Sequence, residues 1–217
     1  MNTEDTPAPC YLELFAIVAA GAGHILTELF LSPSLARIYN GAVVVGFLAY
    51  LIWRVVRHQQ ILREWGMRRD NFNSALRAQL MFGLPAAAVI WGFAWWIGSA
   101  SPPVTFWVSF SLYPLWGIAQ QFAVQNLIAR NLKRAVTRPV ALALVTAVLF
   151  SVSHFPNVQL MALVLIAGFG FTLIYLRHPN IWAVGIVHGA LGALAYYLIL
   201  QEDPGAMIWK CLKRLWL

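Results

Sequence analysis

LMALVLIAGFGF (residues 160–171) contains no charged side chain, and ALALVTAVLF (141–150) repeats the pattern one segment earlier. A membrane-spanning strand would alternate polar and apolar residues, whereas these runs are continuous, so they read as helices. The whole chain follows suit. Of 217 residues, 60% are hydrophobic and 11% charged, with a mean hydropathy of +0.69. A soluble domain is far less apolar and more charged. The fold class is therefore all-α, a polytopic transmembrane helical bundle. At about 20 apolar residues per span, the predicted spans are 11–31, 37–56, 79–99, 104–129, 139–154, 158–176 and 181–200. The expected organisation is an N-terminal tail (1–10), a single transmembrane domain (11–200) and a basic amphipathic tail (201–217).

Charge sets the orientation. Arg54, Arg57, Arg63, Arg68, Arg69 and Arg77 fall in 54–78, and Arg130, Lys133, Arg134 and Arg138 in 130–138. SASPP (99–103) and FPNVQ (155–159) carry no positive residue. Cytoplasmic loops are enriched in Lys and Arg, so the N-terminus is expected in the cytoplasm and the chain in the inner membrane. Seven spans would put the C-terminus outside, yet MIWKCLKRLWL (207–217) is basic. Either that tail lies flat on the membrane or the count is eight. The net charge of +7 is thus assigned to topology and not to nucleic acid. MNTEDTPAPC (1–10) is acidic and Pro-rich, so the first span is expected to remain as an anchor. Cys10 and Cys211 lie at opposite ends and suggest neither a disulfide framework nor a zinc site. QILREWGMRRDNFNSALRA (60–78) is expected to lie on the surface, as one helix or as two short pieces split near Gly66.

The polar residues inside the spans are the functional candidates. QQFAVQN (120–126) puts Gln120, Gln121, Gln125 and Asn126 in the fourth span, with Gln121 and Gln125 on one face at α-helical spacing. FSVSHF (150–155) gives Phe150 and His154, and HGALG (188–192) gives His188 and Gly192, each pair four apart. Singly, each has a plainer reading: amides bond neighbouring helices, a membrane histidine packs, and Gly189 and Gly192 let helices approach. Together the three stripes are expected to line one intramembrane pocket. That requires the fifth span to tilt or sit recessed, because His154 falls at its far end.

The order of these pieces resembles the CPBP family, the CAAX proteases and bacteriocin-processing enzymes, which include intramembrane endopeptidases of the Ras-converting type. EWGMRRDNF (64–72) is similar to the family's lead-in and NIWAVGIVHGALGAL (180–194) to its last motif. The resemblance covers roughly 60–200. It implies motifs E-E-x-x-x-R, F-x-x-x-H and H-x-x-x-N or small, with a glutamate activating water. Here Gln120 and Gln121 stand for the glutamates and Gln125 for the arginine, while Phe150 and His154 are retained, and Gly192 follows His188. An amide can orient water but cannot take its proton. Losing acids and arginine together leaves the site neutral and avoids a buried unpaired charge.

The first functional reading is a CPBP-like membrane protein that binds a membrane partner, peptide segment or lipid in this pocket and lacks the glutamate-dependent cleavage. The second is an active endopeptidase with a rearranged Gln/His site. The third is a structural subunit whose Trp91, Trp95, Trp96 and Trp107 face partner helices, although tryptophans at such positions also sit at headgroups. No cofactor is expected. A metal would need a third ligand beside His154 and His188. His24 and Glu28 of HILTE (24–28) are the candidates, but their plainer reading is a mutual pair. Nothing specific supports haem or chlorophyll. Oligomeric state is left open.

Overall fold

The computed structural model describes residues 10–58 and 60–206. It is an all-α membrane bundle with no strand among those residues. The helices are α1 (Tyr11–Phe30), α2 (Pro33–Arg57), α3 (Ile61–Glu64), α4 (Phe72–Trp96), α5 (Thr105–Phe122), α6 (Arg130–Leu132), α7 (Pro139–Val152), α8 (Val158–Arg177) and α9 (Ile181–Leu198), with a π-helical segment, Ala123–Ala129, between α5 and α6. By length and composition, α1, α2, α4, α8 and α9 are each long and apolar enough to cross a membrane. The seven helices that occupy the predicted spans therefore divide into five full-length spans and two others. The 14 residues of α7 rise only about 21 Å at 1.5 Å per residue, short of the hydrocarbon thickness of roughly 30 Å. Polar residues interrupt α5. The lipid-facing apolar helices make this an integral membrane protein in contact with lipid.

The described residues cluster into two compact units. The first comprises Met1–Glu64 with Ala123–Leu173. There α1 and α2 form a hairpin whose apolar surface is mostly exposed, as lipid-facing helices require. Gly23 leaves the space that the Tyr39 ring fills, and the Tyr39 hydroxyl donates to the Ala20 carbonyl at 3.0 Å. His24 Nδ1 donates to Asn40 Oδ1 at 3.0 Å. The expected His24–Glu28 pair is corrected accordingly, since Asn40 across the hairpin reaches the ring and Glu28 is exposed. The buried carboxylate of Glu13, in the first turn of α1, accepts from Tyr50 on α2 and Asn131 on α6.

The second unit comprises Trp65–Phe122 with Ile174–Leu217. Its helices α4 and α5 both pack against α9. The stretch 60–78 departs from the surface-helix expectation. Only one turn, α3, precedes a break at Gly66, where φ is +73°, and Phe72 already begins α4. Trp65 is buried, not laid on the membrane, and meets Phe122 edge-on at 4.9 Å. Asn180 secures this loop. Its Nδ2 donates to the Arg68 carbonyl at 2.8 Å and to Asn71 Oδ1 at 2.9 Å. Its Oδ1 caps α9 by accepting from the Ala183 N–H at 3.0 Å. At the other end of the unit, Asp203 accepts from the hydroxyls of Thr105 and Tyr197 at 2.7 and 2.6 Å. Burial works against the carboxylate, but these hydrogen bonds outweigh it and hold Asp203 below the usual carboxylate range. Positions 1–9 and 207–217, including Cys211 and most of the predicted basic tail, lie outside the described residues.

Asn180→Ala removes a helix cap and orphans the part-buried Arg68 carbonyl. Each loss costs about 1 kcal/mol or more. The expected result is a lower unfolding midpoint in detergent, with Asn180→Asp retaining the cap and losing less.

Candidate functional site

Glycine decides how closely α5 and α9 approach. A Cβ on Gly117 would sit 2.4 Å from the Gly185 carbonyl oxygen, and one on Gly189 would sit 2.4 Å from the Tyr113 carbonyl and 2.6 Å from Pro114 Cα. One on Gly185 would meet Ile118 Cα at 2.5 Å. The two backbones are therefore in direct contact, as small residues four apart permit in membrane helices. Pro114, which has no N–H to satisfy, packs on Gly189. Gly192 differs: its added Cβ would meet Tyr113 at an ordinary 3.6 Å.

This contact carries Gln120 to His188. The imidazole Nε2 of His188 donates to Gln120 Oε1 at 3.1 Å. Gln121, the next residue, is fully buried, and His188 is 9% exposed. Both members of the Gln120–His188 pair can be neutral, so the bond needs no buried counter-charge. Gln79 on α4 belongs to the same unit. It lies between Ala75 and Gly83 at four-residue spacing, and all three are buried. An added Gly83 Cβ would strike Val187 of α9 at 2.5 Å, so this stripe faces α9. Gln79 is completely buried, yet neither of its amide atoms finds a partner among the described residues. The sequence reading passed over Gln79 by starting the third span there. In the structure α4 already begins about two turns earlier, at Phe72, so the amide lies inside the helix and not at its end.

The remaining candidates belong to the first unit. Gln125 and Asn126 fall in the π-helical segment, where Val124 through Ala129 are all buried. Gln125 Nε2 donates to Thr172 Oγ1 on α8 at 3.1 Å. The four-residue spacing that would align Gln121 with Gln125 assumes α pitch, and the pitch changes at Ala123 between them. π-turns inside helices recur at functional positions. His154 lies just beyond the end of α7, two residues past Val152, and not within the span. Its ring still turns back on that helix. Nδ1 donates to the Phe150 carbonyl at 2.9 Å, and the Phe150 ring stands edge-on at 5.0 Å. In the neutral ring this leaves Nε2 as the proton-accepting nitrogen. Phe150 is itself buried; Gly168 of α8, whose added Cβ would lie 3.3 Å from its ring, allows that packing. His24 is occupied by Asn40. Among the described residues no three His, Cys, Asp or Glu side chains group as a metal site would need.

The model of the family described as Rce1-like, type II CAAX prenyl endopeptidase Rce1-like, matches residues 101–194. Over this stretch the chain is similar to that family, in line with the resemblance to CPBP proteins read from its motifs. The match takes in Gln120, Gln121, Gln125, Phe150, His154, His188 and Gly192. It is narrower than the resemblance read from sequence, and EWGMRRDNF (64–72) lies outside it. No curated protein and no solved structure matches the chain.

Two outcomes test this geometry. Gly189→Ala should destabilise by about 1–3 kcal/mol through forced backbone separation, whereas Gly192→Ala should change stability by about 0.5 kcal/mol or less; thermal unfolding in one detergent compares them. Replacing the orphaned Gln79 amide with an apolar side chain of similar size, Gln79→Leu, should raise stability by about 1–3 kcal/mol, read as a higher unfolding midpoint.

Proposed function

We propose that this CPBP-type membrane protein recognises a polar group of a membrane partner, such as a peptide backbone or lipid headgroup, and has lost the glutamate-dependent peptide cleavage of its family. One observation carries the reading. At the first-motif position an amide oxygen of Gln120 accepts the His188 proton, where the family pattern calls for a carboxylate. Neither Gln120 nor Gln121 can become a general base. Both can donate and accept at once, which suits them to the backbone of an extended segment or to a hydroxyl or ester. Gln125 bonded to Thr172 fits the same logic, since a neutral residue there needs no acid for compensation.

His154 supports a second reading. Its Nδ1–H is committed to Phe150, which leaves Nε2 able to take a proton from water, as a peptidase with a rearranged site would need.

Prenylated CAAX-type peptides offered to the purified, reconstituted protein separate the two. Wild type should bind them without cleavage above background. Gln120→Glu, Gln121→Glu and Gln125→Arg combined should raise hydrolysis by about 10²–10⁴-fold, the usual contribution of a general base. Cleavage by wild type that His154→Ala or His188→Ala abolishes would overturn the binding-only reading.

A further inference from the structure

The Glu13 cluster in the first unit holds more positive charge than it neutralises. Glu13 is 5% exposed. Its Oε1 accepts from the Tyr50 hydroxyl and faces Arg54 Nη1 at 3.4 Å. Its Oε2 accepts from Asn131 Nδ2 at 3.0 Å and faces Arg130 Nη2 at 3.4 Å. Asn131 is held in turn, its Oδ1 accepting from the Cys10 N–H at 2.9 Å.

Four donors fill the lone-pair sites that one carboxylate offers, while each guanidinium has five N–H groups to place. Arg54 Nε and Arg130 Nη1 are buried and have no partner among the described residues. Two cations thus share one anion whose acceptor capacity is spent. A partly dehydrated surplus charge is unfavourable unless an anion completes it. The unpartnered nitrogens themselves are covered, while the two side chains as a whole remain 22% and 23% exposed, so an anion would reach each guanidinium by way of its open part. Arg57, one turn beyond Arg54, and Lys133 beyond Arg130 add positive potential and are both exposed. All of this lies at helix ends: the first turn of α1, the last turn of α2, and α6. That is where spans meet the headgroup layer.

We infer that Arg54 and Arg130 form a binding site for a phosphate oxyanion at the membrane boundary, with Glu13, Tyr50 and Asn131 holding the two forks in place. The planar guanidinium matches phosphate geometry through paired N–H donors. A lipid headgroup and free phosphate share that chemistry. This site is independent of the amide–histidine pair and of any peptidase activity.

The full-length protein in a neutral detergent tests it by thermal unfolding with short-chain phosphatidylglycerol, short-chain phosphatidylcholine, or inorganic phosphate. Phosphatidylglycerol should raise the midpoint in a concentration-dependent way and phosphatidylcholine should not. Arg54→Gln and Arg130→Gln should each remove at least half of that increment, and Arg130→Lys should remove part of it. Arg138→Gln, a loop cation outside the cluster, should leave it intact. An increment from inorganic phosphate as large as that from the lipid assigns the same site to free phosphate. Equal increments from both lipids, or an undiminished increment in the Arg54 and Arg130 variants, would overturn the proposal. Should those variants not survive purification, native mass spectrometry of wild type from mixed micelles decides. Preferential retention of phosphatidylglycerol supports the site, and equal retention of the two lipids overturns it.

Discussion

Direct backbone contact between α5 and α9 is the constraint on which the second unit rests. Lipid offers helices no hydrophobic gain from associating, so close packing must provide it. Gly117, Gly185 and Gly189 remove every side chain that would keep these helices apart. The gain is dispersion over a long, tight interface, and α9 is accordingly the most thoroughly buried of the candidate spans. The same closeness brings Gln120 within hydrogen-bond reach of His188. The site geometry is thus a consequence of packing, since two flexible side chains on separated helices would not meet at 3.1 Å.

Charge is managed differently at the two kinds of polar site. Within the second unit Gln120 and His188 form a bond that needs no ion, which avoids the desolvation cost of charge in a low-dielectric interior. The Glu13 cluster keeps its ions, but places them at helix ends, where the arginine forks stay partly open. Glu13, the buried member, is surrounded by donors from α2 and α6, and its charge is never left alone. Ions are tolerable where water or headgroups can reach them.

Gln79 fits neither scheme. It lies buried on the stripe of α4 that faces α9 and makes no hydrogen bond among the described residues. Leaving such an amide unmatched is expensive. That expense makes it the residue of the unit most in need of a functional explanation.

The sequence alone determined that the chain is an all-helical membrane protein, because in lipid only helices and closed barrels satisfy the backbone, and barrel strands alternate where these long runs are continuous. It also determined the order of the three motif positions, which the family match spans. It could not show that Gly185 would be a contact and Gly192 not, because both read as small residues on one helix and only the partner backbone distinguishes them. Nor could it show the π-helical pitch at Ala123–Ala129, the turn that takes His154 past the end of α7, or the burial of Trp65. Those depend on which neighbour covers each segment. The Glu13 cluster was the least legible, since Arg130 and Asn131 stand more than a hundred residues along the chain from Glu13. Apolar pattern is a local property written into consecutive residues, whereas a polar partner is chosen only when distant helices are brought side by side.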